Sequence, residues 1–300
     1  MKTLTVFTPA YNRAHTIGRT YESLCRQTCK DFEWLIIDDG STDNTRELVQ
    51  GWIDEKPEFP IRYIYQANQG MHGAHNTAYD NITTELNTCI DSDDWMPDDA
   101  VEKIIMFWRE HGSGKYAGII GLDVKESGEL IGTPLPNDLY AMNLSEFYQD
   151  GGAGDKKLVL RTDIVKLYPP YPRFDKERYF SLGYLYLLID QDYKCLCLNE
   201  PLVVVDYQPD GSSHSMYRQY WNNPRGFMYL RQEHIRIYKS FRLRFRSSIH
   251  YISHCLRAKA YRHLLSTSRP LMALCALPFG VCLFFFTRYK VNHNIKMSIK

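Results

Sequence analysis

Short apolar runs alternate with longer polar-periodic ones through the first 122 residues. Leu4 to Thr8 reads as a strand, Ile17 to Thr28 as a helix, and Trp34 to Ile37 as a second strand that stops abruptly at Asp38, Asp39 and Gly40. Ser41 to Asp54 reads as a helix capped by Ser41, with Leu48 and Trp52 one turn apart. Ile61 to Tyr65 is a third strand, Gly73 to Asn81 a helix, and Leu86 to Ile90 a fourth strand that runs into Asp91, Ser92, Asp93 and Asp94. Pro97 to His111 reads as a helix with proline in its first turn, where the missing N–H costs nothing. Ile119 to Leu122 is a fifth strand. This alternation predicts an α/β fold with a doubly wound, mostly parallel sheet. Ligands on such sheets bind beyond the carboxyl ends of the strands, where the polar clusters of this sequence fall.

The pattern changes twice. From Asp123 to about residue 215 glycine, proline and aromatic residues are frequent, helices look short, and Leu202 to Val205 reads as a strand. From residue 216 the chain turns basic and aromatic. Phe241, Phe245, Ile249, Ile252, Leu256, Ala260 and Leu264 recur at helical spacing, flanked by Arg242, Arg244, Arg246, Arg257 and Arg262. Leu271 to Phe286 is then a run of 16 uncharged, mostly apolar residues bounded by Arg269 and by Arg288 with Lys290.

Charge sharpens this division. The net charge of +1 hides a tail, residues 211–300, with 16 Lys or Arg and a single acid, Glu233, beside a body with 20 basic and 34 acidic side chains. Such asymmetry points to an anionic partner for the tail. A spanning helix needs about 20 apolar residues, and Pro278 and Gly280 interrupt this run. An in-plane or re-entrant segment on an anionic membrane surface is therefore expected, with the cations facing lipid headgroups on the cytoplasmic face. A buried helix docked on the acidic body is the alternative. Basic residues interleave with Tyr and Phe, but no nucleic-acid-binding module is present, so no nucleic-acid partner is expected. The eight cysteines form no C-x-x-C pair and read as free thiols of a reducing compartment. Lys2 precedes only a short apolar run broken by Pro9 and Asn12, which is not a signal peptide.

Three polar clusters carry candidate chemistry. Thr8, Pro9, Ala10, Tyr11, Asn12 and Arg13 follow the first strand, and the Tyr11 ring with main-chain groups could hold a base and ribose. Asp38 and Asp39 end the second strand, where paired carboxylates can accept from a nucleobase or ribose; Ser41 and Asp43 suit a helix start. Asp91, Ser92 and Asp93 end the fourth. Residues two apart in an extended segment point the same way, so Asp91 and Asp93 can face one site. Their mutual repulsion would be relieved by a hard divalent cation, Mn²⁺ or Mg²⁺, bridging to a diphosphate.

Together these clusters resemble the motifs of family 2 glycosyltransferases, inverting enzymes with the Rossmann-like GT-A fold, here of the bacterial surface-polysaccharide type. Pro9-Ala10-Tyr11-Asn12-Arg13 looks like the family's P-x-Y-N opening, and Asp38-Asp39-Gly40-Ser41-Thr42-Asp43 like its D-D-G-S-x-D motif. Asn68-Gln69-Gly70 with Ala74 and Asn76 is similar to its N-x-G-x-x-x-A-x-N stretch, and Asp91-Ser92-Asp93 to its metal-binding D-x-D. The resemblance implies that Asp39 contacts uracil, that Asp91 lies near ribose and sugar, and that Asp93 holds the metal on the diphosphate. It makes Thr8 to Arg13, Asp38, Asp39, Gly70, Asn76, Asp91 and Ser92 donor-binding candidates. It also implies a nucleotide-sugar donor, a glycan or lipid-linked saccharide acceptor, a nucleotide-sugar-binding half over 1–122, an acceptor-binding half over 123–215 and a membrane-associated region over 216–300.

The segment Glu177 to Tyr184 resembles the family's acceptor-side helix, but Leu182 stands where an acid is usual. Glu177 is the first candidate for the catalytic base, with Asp175, Asp190 and Asp192 as alternatives. A binding subunit that kept the nucleotide pocket and lost its base is the competing expectation.

Overall fold

The computed structural model describes residues 2–137, 140–206 and 216–293, and the chain forms two compact units. The first comprises Met1–Tyr171 and Leu182–Asp206; the second comprises Pro172–Ser181 and the chain after Asp206. Residues 207–215 of the expected acceptor half, and 294–300 of the tail, lie outside the described residues.

The first unit is built on an eight-stranded sheet. Its strands are β1 (Leu4–Ala10), β2 (Phe32–Asp38), β3 (Ile61–Tyr65), β4 (Leu86–Cys89), β5 (Tyr116–Val124), β6 (Ala141–Met142), β7 (Lys156–Arg161) and β8 (Lys194–Val204). Their order is β3-β2-β1-β4-β7-β5-β8-β6. β3, β2, β1 and β4 pair in parallel, as do β5 and β8, while β7 runs antiparallel between β4 and β5. The helices are α1 (Ile17–Arg26), α2 (Thr45–Glu55), α3 (Met71–Asn81), α4 (Ala100–His111), α5 (Leu144–Gln149), α6 (Thr162–Val165) and α7 (Gly183–Ile189).

Parallel strands buried on both faces carry apolar residues at successive positions, and β2 shows it. Trp34 and Ile36 join a core with Ile17, Leu24, Val49, Val101 and Ile104, contributed by α1, α2 and α4. Leu35 and Ile37 point the other way and meet Phe7, Ala74, Ala78 and Ile82 beneath α3. Helices therefore lie on both faces, as the alternating pattern predicts. The two strands missed from the sequence are β6 and β7. β7 begins with adjacent lysines in the glycine-rich stretch, where no clean apolar run marks it.

Several boundaries shift. α2 begins at Thr45 with Asn44 at its cap, so Ser41 does not cap it. The Ser41 hydroxyl instead accepts the Asn12 N–H. Asp91 and Asp93 are not in an extended segment: β4 ends at Cys89, and the Asp94 N–H bonds the Asp91 carbonyl at 3.0 Å, closing a turn.

The second unit is helical: α8 (Met216–Asn222), α9 (Pro224–Ile237), α10 (Phe241–Arg257) and α11 (Pro270–Asn292). The expectation that Pro278 and Gly280 break the apolar run is corrected. α11 continues through both for 23 residues. Proline removes one backbone bond, but Gly280 is a packing position: a Cβ there would lie 2.4 Å from the Ile252 Cβ of α10. Ala273, Ala276, Gly280 and Thr287 form the buried side, and this small-residue stripe lets α10 approach closely.

Candidate functional site

The loops after β1 and β2 are locked together by the motif residues themselves. Asn12, in the left-handed region at φ 53°, donates its N–H to the Ser41 hydroxyl and accepts the Thr42 N–H on its side-chain oxygen at 2.8 Å. The Arg13 N–H bonds Thr45, and the Ala14 N–H bonds Asp43. Burial pushes the Asp43 carboxyl up, but hydrogen bonds from Thr45 and Ala14 outweigh it and hold the group below the usual carboxylate range.

The two aspartates that end β2 are buried and engaged. Asp38 accepts the Ser41 N–H on one oxygen and the Tyr63 hydroxyl on the other. Asp39 accepts the Gln66 side-chain amide and the Gln69 N–H on one oxygen, and the Gly70 N–H on the other at 2.7 Å. Both therefore shape the site by holding neighbouring loops. Gly40 makes the approach possible: at φ 86° it lies so near residue 68 that a Cβ would sit 2.9 Å from the Asn68 nitrogen. Gly70, at φ 82°, starts α3.

Other expected donor residues are equally committed. The Thr8 hydroxyl accepts the Trp34 indole N–H inside the core, and Pro9 and Ala10 are buried. Asn76 spends both ends of its amide on the main chain of Tyr171, at 2.9 and 2.8 Å. Ser92 is buried. Tyr11 alone among the loop residues is strongly exposed, at 50%.

The acidic turn after β4 is organised differently. Asp94 is its anchor. Its side chain accepts the Asp206 N–H at 3.0 Å and its carbonyl accepts the Thr20 hydroxyl. Trp95 exchanges two backbone bonds with Val204, and Arg19 lies 4.1 Å over the Trp95 ring while pairing with Asp206 at 2.6 Å. Asp91 and Asp93 are left available. Among the described residues the one hydrogen-bond donor to the Asp91 carboxylate is the Cys89 thiol, at 3.8 Å. Burial and Asp91 push the Asp93 carboxyl up, against the pull of Arg13. Burial and Asp91 likewise push Asp94 up to about 8.

Three further groups, missed in the sequence, face these acids. Lys157 at the start of β7 donates to the Cys89 carbonyl at 2.9 Å. Burial pulls its ammonium down, but Asp123, Cys89, Asp91 and Asp94 together outweigh burial and raise it. Asp123 lies at the end of β5, where the pairing with β8 slips between Leu122 and Asp123. Such irregularities re-aim side chains. Burial pushes Asp123 up to about 6 against the pull of Lys157, and its Oδ1 has no hydrogen-bond partner among the described residues. His75, buried on α3, is pulled down to about 4 by burial although Asp91 draws it up. No spacing rule marks Lys157 or Asp123; His75 sits unremarked between Ala74 and Asn76.

Among the described residues no group of three or more His, Cys, Asp or Glu side chains is arranged to hold a metal. Mg²⁺ and Mn²⁺ are commonly held by one or two carboxylates plus substrate phosphates. Asp91 and Asp93 would supply such carboxylates, and an all-oxygen donor set suits a hard cation.

Three of the four expected base candidates, Glu177, Asp190 and Asp192, accept hydrogen bonds from neighbouring groups. Glu177, in the second unit, accepts the N–H groups of Arg225 and Gly226 at 2.9 and 2.8 Å, the first turn of α9. Asp190 accepts the Leu144 and Ser145 N–H groups at the start of α5. Asp192 accepts the Tyr168 hydroxyl, and Asp175 is exposed. Leu182 offers no acid.

Residues 5–151 match the model of glycosyl transferase family 2. The chain is 33% identical over 117 residues to the glycosyltransferase GlyA of Streptococcus pneumoniae, covering 38% of this chain and 16% of that one. It is 34% identical over 128 residues to a chondroitin synthase of Escherichia coli, covering 43% and 18%. The chain thus spans less than a fifth of the length of these two relatives. Among solved structures, TarS 1–349 of S. aureus in complex with UDP-GlcNAc superposes with a TM-score of 0.58 at 16% identity, over 98% of this chain and 92% of that one. The mannosyltransferase PcManGT of Pyrobaculum calidifontis, in complex with GDP-Man and Mn²⁺, gives 0.56 at 17% identity, over 96% and 82%. The fold is GT-A.

Proposed function

From the premise that this chain belongs to glycosyl transferase family 2 through residues 5–151, we propose that it transfers a sugar from a nucleoside diphosphate, UDP by preference, to a hydroxyl of a glycan or lipid-linked saccharide. The carrying observation is the turn after β4, in which Asp94 is tied down while, among the described residues, no neighbouring loop donates an N–H or hydroxyl to Asp91 or Asp93. Solved relatives of the same fold were captured with UDP-GlcNAc, UDP and GDP-Man.

The residues divide the work. Asp38, Asp39 and Asp43 hold the donor loops in shape. Tyr11 offers its exposed ring face to the base. Asp91 and Asp93 would hold Mn²⁺ or Mg²⁺. When bound, the cation supplies positive charge to the diphosphate as it leaves, which favours departure. Lys157, fixed on the Cys89 carbonyl, offsets the mutual repulsion of the acid cluster. Inversion follows from attack by the acceptor hydroxyl on the face opposite the nucleotide, the C1–O bond to the diphosphate breaking as the new bond forms and the hydroxyl proton passing to a general base that is not assigned to a residue, as in inverting glycoside hydrolysis. Glu177, with both oxygens on α9 N–H groups, braces that helix and is not retained as the base.

The second unit supports membrane attachment. α11 is the one helix among the described residues long and apolar enough to cross a membrane. Its exposed side carries Leu271, Leu274, Phe279, Phe285 and Phe286, with Leu271 78% and Phe285 58% exposed. Small residues pack inward and large apolar ones face out, the reverse of a water-facing helix. With Arg269, Arg288 and Lys290 at its ends, this suits an anionic bilayer surface on the cytoplasmic side. The role that fits is assembly of a bacterial surface polysaccharide.

The test is transfer of label from a panel of UDP-sugars to membrane-extracted or oligosaccharide acceptors. Label must move with wild type and stop with Asp93→Ala. A chain that binds nucleotide yet moves no sugar from any donor would favour a binding subunit.

A further inference from the structure

The second unit contains cations that no carboxylate among its described residues neutralises. Its described acids are Asp175, Glu177 and Glu233. Glu177 serves the start of α9, and Glu233 pairs with Arg236 at 2.6 Å. Among the described residues no salt bridge includes Arg231 or Arg246, or any of His234, His250 and His254.

These five side chains converge from two facing helices. α9 contributes Arg231, His234 and, at its end, Tyr238; α10 contributes Arg246, His250 and His254 at successive four-residue steps, hence on one face. The two rows run past each other. The His254 ring stacks on Phe227 at 5.3 Å, and His250 and His254 lie 6.2 Å apart. Tyr220 of α8 closes the third side, 5.9 Å from His250 and 5.4 Å from His254. The Arg231 guanidinium contacts His234 Nδ1 at 3.2 Å. Three nitrogens in this cluster are shut off from solvent and have no hydrogen-bond partner among the described residues: Arg231 Nε, His250 Nδ1 and His254 Nε2. His254 itself is only 4% exposed. Buried polar atoms are normally paired, so three in one cluster ask for a ligand.

We propose that Arg231, Arg246, His250 and His254, with the Tyr220 and Tyr238 hydroxyls, form a binding site for a phosphate group. The donors approach from three helices and so suit the tetrahedral oxygens of a phosphate better than the single plane of a carboxylate. A guanidinium fork matches phosphate oxygens directly. Burial and Arg231 hold His234 down to about 3, and burial, Arg231 and Arg246 do the same for His250. An arriving anion reverses that repulsion and lets the imidazoles take up protons and donate. The phosphate is either free or the headgroup of a lipid, a choice that the same donors leave to experiment. The site is independent of the donor site, sharing no residue with it.

The test uses the full chain carrying Asp93→Ala, in chelator, so that the donor site cannot answer. Inorganic pyrophosphate is titrated while the imidazole proton signals are followed by NMR. In parallel, the chain is sedimented with vesicles of phosphatidylcholine alone or with added phosphatidic acid. The site predicts that pyrophosphate shifts the His250 and His254 signals and raises their apparent pKa. The shift is lost with Arg231→Met and weakened at least tenfold with Arg246→Ala, an exposed position that leaves the helices intact. If only phosphatidic acid vesicles retain the chain, and Arg246→Ala weakens that retention tenfold, the phosphate is a lipid's. If neither source distinguishes the parent from Arg246→Ala, or chloride at equal ionic strength moves the same signals, the proposal is wrong.

Discussion

The two units handle charge in opposite ways. In the sheet unit, acids crowd the carboxyl ends of β2 and β4, and nearly all of them are paired. Asp38, Asp39, Asp43 and Asp94 each accept N–H or hydroxyl groups from neighbouring loops. Among the described residues no neighbouring loop donates an N–H or hydroxyl to Asp91 or Asp93. In the helical unit the cations outnumber the acids, and among the described residues no salt bridge includes Arg231 or Arg246. On the account proposed above, the charge left unpaired in each unit is where an ion of the opposite sign would bind. The acid turn would take a cation and, through it, a diphosphate; the helices, anionic groups.

Substitutions can break or sharpen that contrast. The largest effect is expected from Asp91→Ala. It should lower sugar transfer by about 10³-fold, the scale for removing an electrostatic element of a transfer site, with little change in melting temperature. A large loss of stability instead would place Asp91 with the paired acids. Asp39→Ala should behave the opposite way. Stranding the Gln69 and Gly70 N–H groups should destabilise the chain by about 3 kcal/mol, read by urea unfolding.

On the helical side, Phe285→Ser should weaken binding to anionic vesicles by about tenfold, near the lower end of the value of a buried aromatic side chain. Binding that is unchanged would return α11 to a protein partner. Acid sensitivity comes next. His250 is held at about 3 against a usual 6.5, so it is neutral when folded and protonated when unfolded below pH 6.5. Its contribution is intact above pH 6.5 and is lost as pH falls toward 3. Each depressed histidine should cost about 1.4 kcal/mol of stability per pH unit across that window, and His250→Phe should remove one such share from the slope. The smallest effect belongs to Glu177→Ala, about 1 kcal/mol from loss of the carboxylate at the start of α9. A collapse of transfer with stability intact would restore Glu177 as the base.

Much of the sheet was legible because parallel strands announce themselves as apolar runs ending in polar clusters. β1 to β5 lie where the pattern places them. β7 escaped because its lysines and glycine-rich approach mask a strand that pairs antiparallel with β4 and β5. The motif residues were legible as a group but not by task. Sequence shows that Asp38, Asp39 and Asn76 are present; only coordinates show that their oxygens are filled by Ser41, Tyr63, Gly70 and Tyr171. Asp123 and Lys157 were invisible because their meeting depends on β5 and β7 lying side by side. The expected break at Pro278 failed because a proline removes one bond, whereas the close packing of Gly280 on Ile252 ties the helix to α10.

The central claim is that Asp91 and Asp93 form the metal-dependent diphosphate site. Calorimetric titration of UDP into wild type and Asp93→Ala, each with and without Mn²⁺, tests it without knowledge of sugar or acceptor. The account predicts binding by wild type that strengthens at least tenfold with Mn²⁺ and loses that dependence in the variant. Equal binding by both proteins, indifferent to Mn²⁺, would contradict it.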